Sequence, residues 1–284
     1  MQLYYRSPPG GNFGDDLNPW LWPQLLPYPL EQCLDDDTLF IGVGSILNHR
    51  IPAHPPNKLV FGSGFGYGSL PQVTRDWQFV GVRGPLTAKV LGLPSSVTCG
   101  DSAILARRLI DPAAHTEHPA AFMPSCFTAP VDDWQNVCQS LSILYIPPTA
   151  PVKHILSAIR SSGLLITESL HGAIIADVLR VPWIAVRTRP YILKFKWDDW
   201  AASLGLDFEF EWLPRIWNAS NRSQLKQVVR PFATHAASER LRWLVRYGKR
   251  RLSKDASLQQ VIRQLDEALD RLIRLVSTPK PDSE

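Results

Sequence analysis

Cysteine is scarce and scattered in this chain. The four residues, Cys33, Cys99, Cys126 and Cys138, form no C-x-x-C pair and have no histidine nearby at zinc-ligand spacing. Reduced, buried thiols are expected, and no metal. Long apolar runs are missing too: the most hydrophobic stretch, Gly163 to Val186, is broken by Glu168, His171, Asp177, Arg180 and Pro182, which argues against a membrane-spanning helix. Met1 to Gly11 holds no basic region followed by an apolar run, so no secretory signal is expected and the chain reads as cytoplasmic. H-E-x-x-H, G-x-S-x-G and Walker patterns are absent, which argues against zinc proteases, serine hydrolases and P-loop ATPases. The dinucleotide fingerprint also fails, because Gly11-Asn12-Phe13-Gly14 lacks its spacing.

With 284 residues, 45% of them hydrophobic, the chain can bury a substantial core. Its net charge of +4 is uneven: Glu239 to Lys254 carries seven Lys or Arg against one acid, leaving the remainder near −2. The basic character therefore belongs to one short segment, and no nucleic-acid partner is expected.

Short apolar runs ending in glycine alternate with helical patterns, as in buried parallel strands of an α/β fold. Strands are expected at Leu3 to Tyr5, Thr38 to Val43, Lys58 to Phe61, Gln78 to Val82 and Val97 to Gly100. After a linker at Arg107 to Pro119 the alternation resumes, with strands at Ala120 to Met123, Ser142 to Ile146, Leu164 to Thr167 and Trp183 to Val186. Helices are expected from about Leu17, over Gly84 to Leu91, Val152 to Ser161 and Leu170 to Leu179. The expected architecture is two Rossmann-like α/β lobes, 1–110 and 119–213, with a cleft between them, followed by a helical extension over 214–284. In that extension Leu258, Ile262, Leu265, Leu269, Leu272 and Val276 form the seam of a helix that docks on the body or on a second copy. Thr278 to Glu284 should fray.

Chemistry-bearing residues gather at strand ends. The turn Gly10-Gly11-Asn12-Phe13-Gly14-Asp15-Asp16 precedes a helix, where backbone amides and the helix dipole can hold an anion, or where the chain simply turns. Gly62-Ser63-Gly64 closes another strand in the same manner. Arg83, at a strand end before Gly84-Pro85, offers a planar fork for a carboxylate or phosphate. Asp101 could orient Arg83, hold a sugar hydroxyl or cap a helix. His171 falls in the first helical turn after a buried strand, beside Glu168 and Ser169, where an imidazole can move protons near neutral pH. Arg187, Arg189, Lys194 and Lys196 follow the next strand, and so many cations suit a multiply charged anion or a solvated loop.

In their order along the chain, these pieces resemble the polysaccharide pyruvyltransferase family over roughly Leu3 to Leu213. The matching stretches are Gly11-Asn12-Phe13-Gly14-Asp15-Asp16-Leu17-Asn18, Gly42-Val43-Gly44-Ser45-Ile46-Leu47, Phe61-Gly62-Ser63-Gly64, Val82-Arg83-Gly84-Pro85, Gly100-Asp101, Ser169-Leu170-His171-Gly172 and Lys194-Phe195-Lys196-Trp197-Asp198-Asp199. The resemblance implies a GT-B-like two-lobed fold and transfer of the enolpyruvyl group of phosphoenolpyruvate to an exopolysaccharide sugar as a cyclic ketal. It implies Arg83 as a donor ligand, His171 as catalytic acid or base, and no cofactor beyond the co-substrate. Several relatives carry Arg-Leu-His where this chain has Ser169-Leu170-His171, so Arg187, Arg189 or Lys194 would have to replace that arginine. The acceptor implied is a lipid-linked oligosaccharide at the inner face of the membrane. The basic segment 239–254 could rest there on anionic lipid, or be a solvated helix face. A nucleotide-sugar glycosyltransferase and a non-catalytic subunit of a polysaccharide assembly complex remain as other readings.

Overall fold

The structure, a computed structural model, describes residues 1–6, 8–34, 36–110, 115–218 and 223–277. The expectation for Thr278 to Glu284 lies outside the described residues, as does part of the linker, residues 111–114.

In chain order the first half comprises β1 (Gln2–Tyr4), α1 (Phe13–Leu25), β2 (Thr38–Ile41), β3 (Asn57–Ser63), β4 (Trp77–Val82) and α2 (Pro85–Val90). Its four strands pair in parallel in the order β1-β2-β3-β4. The second half comprises β5 (Ala121–Met123), α3 (Trp134–Ser140), β6 (Leu144–Tyr145), α4 (Val152–Arg160), β7 (Leu165–Thr167), α5 (Leu170–Val178), β8 (Trp183–Arg187), α6 (Lys194–Leu204) and β9 (Glu211–Trp212). These strands form a second parallel sheet ordered β6-β5-β7-β8-β9. The order reverses between β5 and β7, and in an open parallel sheet that switch point leaves a crevice outside the strands' carboxyl ends.

Between the sheets, α1, α4, α5 and the 3-10 segment Ser102–Leu109 share one apolar core, to which Phe13, Leu17, Ile104, Ile155 and Ile174 each contribute at 0–1% exposure. The C-terminal helices dock on the body of the same chain. Helix α7 (Gln224–Tyr247) lays Ala237, Leu241 and Leu244 on the second sheet's core. Helix α8 (Asp255–Val276) returns to the first half, where its whole predicted seam is buried in the same chain. Asp266 of α8 also pairs with Arg107 and Arg108, anchoring the start of the expected linker.

Two local expectations are corrected. Val97 to Gly100 is not a strand: a 3-10 turn (Ser95–Val97) leads into a single bridge between Thr98 and Val82. Lys194 and Lys196 lie on α6, not in a loop.

Candidate active site

A cavity of about 670 Å³ lies where the carboxyl edges of both sheets converge. Tyr5 and Arg6 come from the end of β1, Asn12 and Asp15 from the start of α1, and Ser45, Asn48 and Arg50 from the chain after β2. Opposite them stand Ser125 and Cys126 after β5, Glu168, Ser169 and His171 after β7, Tyr191 after β8 and Lys196 on α6. The second sheet thus presents its switch point to the cavity.

Glu168 shapes that side. At 1% exposure, its carboxylate accepts hydrogen bonds from the backbone N–H of Ser125 (3.1 Å) and from the N–H and hydroxyl of Thr188 (2.8 and 2.7 Å). One carboxylate therefore ties together the loops after β5, β7 and β8. Ser169 caps α5, its Oγ accepting from Gly172 N at 3.2 Å.

His171 packs against the start of α1. A Cβ on Gly14 would fall 2.0 Å from its Nδ1, so only glycine leaves room for the ring. Its Nε2 is buried and unbonded, facing the equally unbonded Oδ2 of Asp101 at 3.8 Å. The other oxygen of Asp101 accepts from Ala103 N (2.9 Å), capping Ser102–Leu109 and fixing the carboxylate behind the ring. Burial pushes His171 down to about 3, aided by the positive Lys196 and Arg83. The imidazole is therefore neutral near pH 7. Burial pushes Asp101 up to about 6 and Asp15 likewise to about 6, the latter against an opposing hydrogen bond from Asn12 (2.7 Å). Cys126, up at about 11 through burial, presents an un-ionised thiol.

Arg83 needs correction. Its side chain is wholly buried and absent from the cavity wall. Nε donates to Asp199 Oδ2 (2.9 Å), Nη1 to Ser45 Oγ (2.6 Å) and Nη2 to the Phe65 carbonyl (3.0 Å). The guanidinium joins β4 to α6 across the two halves and reaches the cavity only through Ser45. The glycine turn is not an open anion cradle either. The N–H groups of Gly11, Asn12 and Phe13 already donate to the Pro8 carbonyl, Asp16 Oδ2 and the Pro148 carbonyl. Gly62 and Gly64 make room for Ser102 and for the Arg83 guanidinium, while the Ser63 hydroxyl donates to the Gly42 carbonyl. None of these three residues lines the cavity.

Of the four cations Arg187, Arg189, Lys194 and Lys196, only Lys196 lines the cavity, its ammonium 5.2 Å over the Tyr67 ring. Arg189 pairs with Asp132, Lys194 with Asp198, and Arg187 lies over Phe210. None of these three supplies the missing charge at Ser169. Arg6 and Arg50 line the cavity instead, both exposed and with no ion pair among the described residues. Arg6 was legible by the logic applied to Arg83, since it directly follows the first strand's end. Arg50 sits in a loop with no periodic signal.

Three cations, one carboxyl of raised pKa and a neutral imidazole thus line one pocket, with Asp101 buried behind the ring, an arrangement fit for an anionic substrate and for proton transfer. The succinoglycan biosynthesis protein ExoV of Rhizobium meliloti (strain 1021) is 39% identical over 232 residues, spanning 79% of this chain and 70% of that protein. No solved structure matches the chain. The polysaccharide pyruvyl transferase family model covers residues 3–190, from β1 through the loop after β8, and so takes in nearly every element that walls the cavity. The chain belongs to the polysaccharide pyruvyl transferase family.

Proposed function

We propose that this enzyme transfers the enolpyruvyl group of phosphoenolpyruvate to a sugar of a lipid-linked exopolysaccharide repeat unit, closing a cyclic ketal and releasing phosphate. The observation that carries the reading is the pocket itself, where His171, backed by Asp101, lies with Asp15 among Arg6, Arg50 and Lys196. A donor bearing both phosphate and carboxylate needs two anion clamps, and guanidinium forks suit both. The two parallel sheets with converging carboxyl edges support a GT-B-like arrangement.

The ionisation states select between the two roles expected of His171, acid or base. A neutral imidazole cannot deliver a proton, so it takes one. His171 accepts the proton of the first sugar hydroxyl as that oxygen bonds to C2, and the Asp101 carboxylate stabilises the resulting imidazolium. The protonated Asp15 carboxyl gives its proton to C3, converting the methylene to a methyl group. The second hydroxyl then replaces phosphate at C2, its proton passing to the Asp15 carboxylate. The imidazolium returns its proton to the departing phosphate, and both groups end as they began.

Phosphate release from phosphoenolpyruvate, with and without a lipid-linked oligosaccharide extract, tests the reading. Acceptor-dependent release is expected. Thermal stabilisation by a nucleotide sugar but not by phosphoenolpyruvate would favour a glycosyltransferase instead.

A further inference from the structure

Helix α7 has an outward face that no described residue covers. Leu225, Val228 and Phe232 are 72%, 70% and 77% exposed, and Trp243 and Tyr247 are 44% and 59% exposed. At 100° per residue these five side chains fall within a stripe about 100° wide along a helix about 36 Å long. The opposite face, Ala237, Leu241 and Leu244, is fully buried on the second sheet. Ala236 and Glu239 lie on this face between Phe232 and Trp243, so it carries an apolar patch near the helix start and an aromatic pair near its end, and exposed apolar patches of this kind mark an interaction surface.

The charges beside the stripe identify the partner. Arg240 and Arg246 lie over the rings of Trp243 and Tyr247, at 4.4 and 5.3 Å. Arg246, Lys249 and Arg250 have no acidic partner among the described residues, and the one acid on this face, Glu239, is taken by Arg242. In a two-fold contact with a second copy, these cations would meet their own kind. An anionic bilayer satisfies both features, and aromatic residues flanked by arginine suit its interface.

The buried side of α7 leads toward the cavity. Arg230 of α7 pairs with Asp133 at 2.9 Å, and the chain from Asp133 back to Phe127 on the cavity wall spans at most about 20 Å. Exposed Val131 and Phe127 lie along it.

We propose that the outward face of α7 seats the protein on an anionic lipid bilayer, with Leu225, Val228 and Phe232 at the acyl boundary and Arg246, Lys249 and Arg250 among the head groups. The lipid-facing element is thus centred upstream of the basic segment 239–254, whose Leu241 and Leu244 face the core. This inference does not depend on the reaction proposed above.

Sedimentation of the full chain with vesicles of phosphatidylcholine alone, or mixed with phosphatidylglycerol, tests it at low and high salt. The wild type should sediment with the anionic vesicles. The double variant Leu225→Glu/Phe232→Glu should bind about a hundredfold more weakly, and Arg246→Gln/Lys249→Gln/Arg250→Gln should lose the salt-sensitive part of binding. Unfolding midpoints near that of the wild type verify folding, and Val228→Glu replaces any double variant that does not fold. A wild type left in the supernatant overturns the proposal. So does undiminished binding by the folded apolar variants, or a lipid-free dimer that those variants dissociate.

Discussion

His171 is held by what surrounds it: Gly14 leaves space for its ring, and Asp101 stands behind Nε2. Gly14→Ala should therefore displace the imidazole and lower kcat on the order of a hundredfold, while the melting temperature changes far less. An unaltered kcat would remove the ring's position from the account. Asp15 gives a separate handle. Its carboxyl, up at about 6 through burial, has to carry a proton to act as the acid. Because kcat/KM reports the free enzyme, it should peak near pH 6, falling at higher pH as Asp15 loses its proton and at lower pH as Asp101 gains one, whereas Asp15→Asn should be slow and lack the fall at higher pH. How much of this was visible in the sequence depends on the range of each interaction. His171 was legible because a buried strand followed directly by a helix places it at a sheet edge. Arg83 obeyed the same rule and misled, because its partner Asp199 lies 116 residues away and leaves no local trace.

Strands β2, β3, β7 and β8 were legible as elements because central strands of a parallel sheet are covered on both faces and read as continuous apolar runs. Helix α6 was not among the expected helices, because Lys194 and Lys196 with Arg187 and Arg189 suited an anion site or a solvated loop. The helical signal was present in Trp197, Trp200, Ala201 and Leu204, all buried and spaced for one face. This helix matters beyond its packing. From it, Asp199 accepts from Arg83 Nε and from both the N–H and the hydroxyl of Thr87 (2.8 and 2.6 Å), locking α6 to the end of β4 and the start of α2. Asp199→Ala leaves a wholly buried guanidinium unpaired and should cost about 3–5 kcal/mol. Chemical denaturation measures that cost, and a loss below about 1 kcal/mol would mean the ion pair does not hold the two halves.

In the whole molecule, two sheets that the sequence suggests as separate lobes are bound by a common core, by the Arg83–Asp199 pair and by the return of α8 to the first half. Calorimetry should therefore record one cooperative unfolding transition, since the largest core draws side chains from both halves. Two resolved transitions would show independent lobes. The same joining fixes the cavity, because each sheet contributes only part of its wall. Incubation with carbon-labelled phosphoenolpyruvate and a lipid-linked oligosaccharide extract, read by mass spectrometry of the sugar product, tests the central claim most directly. The account predicts label in a cyclic ketal, one phosphate released per transfer, and loss of about a hundredfold or more in rate for both His171→Ala and Asp15→Asn. An unlabelled product, or labelling that proceeds at the wild-type rate in both variants, would contradict it.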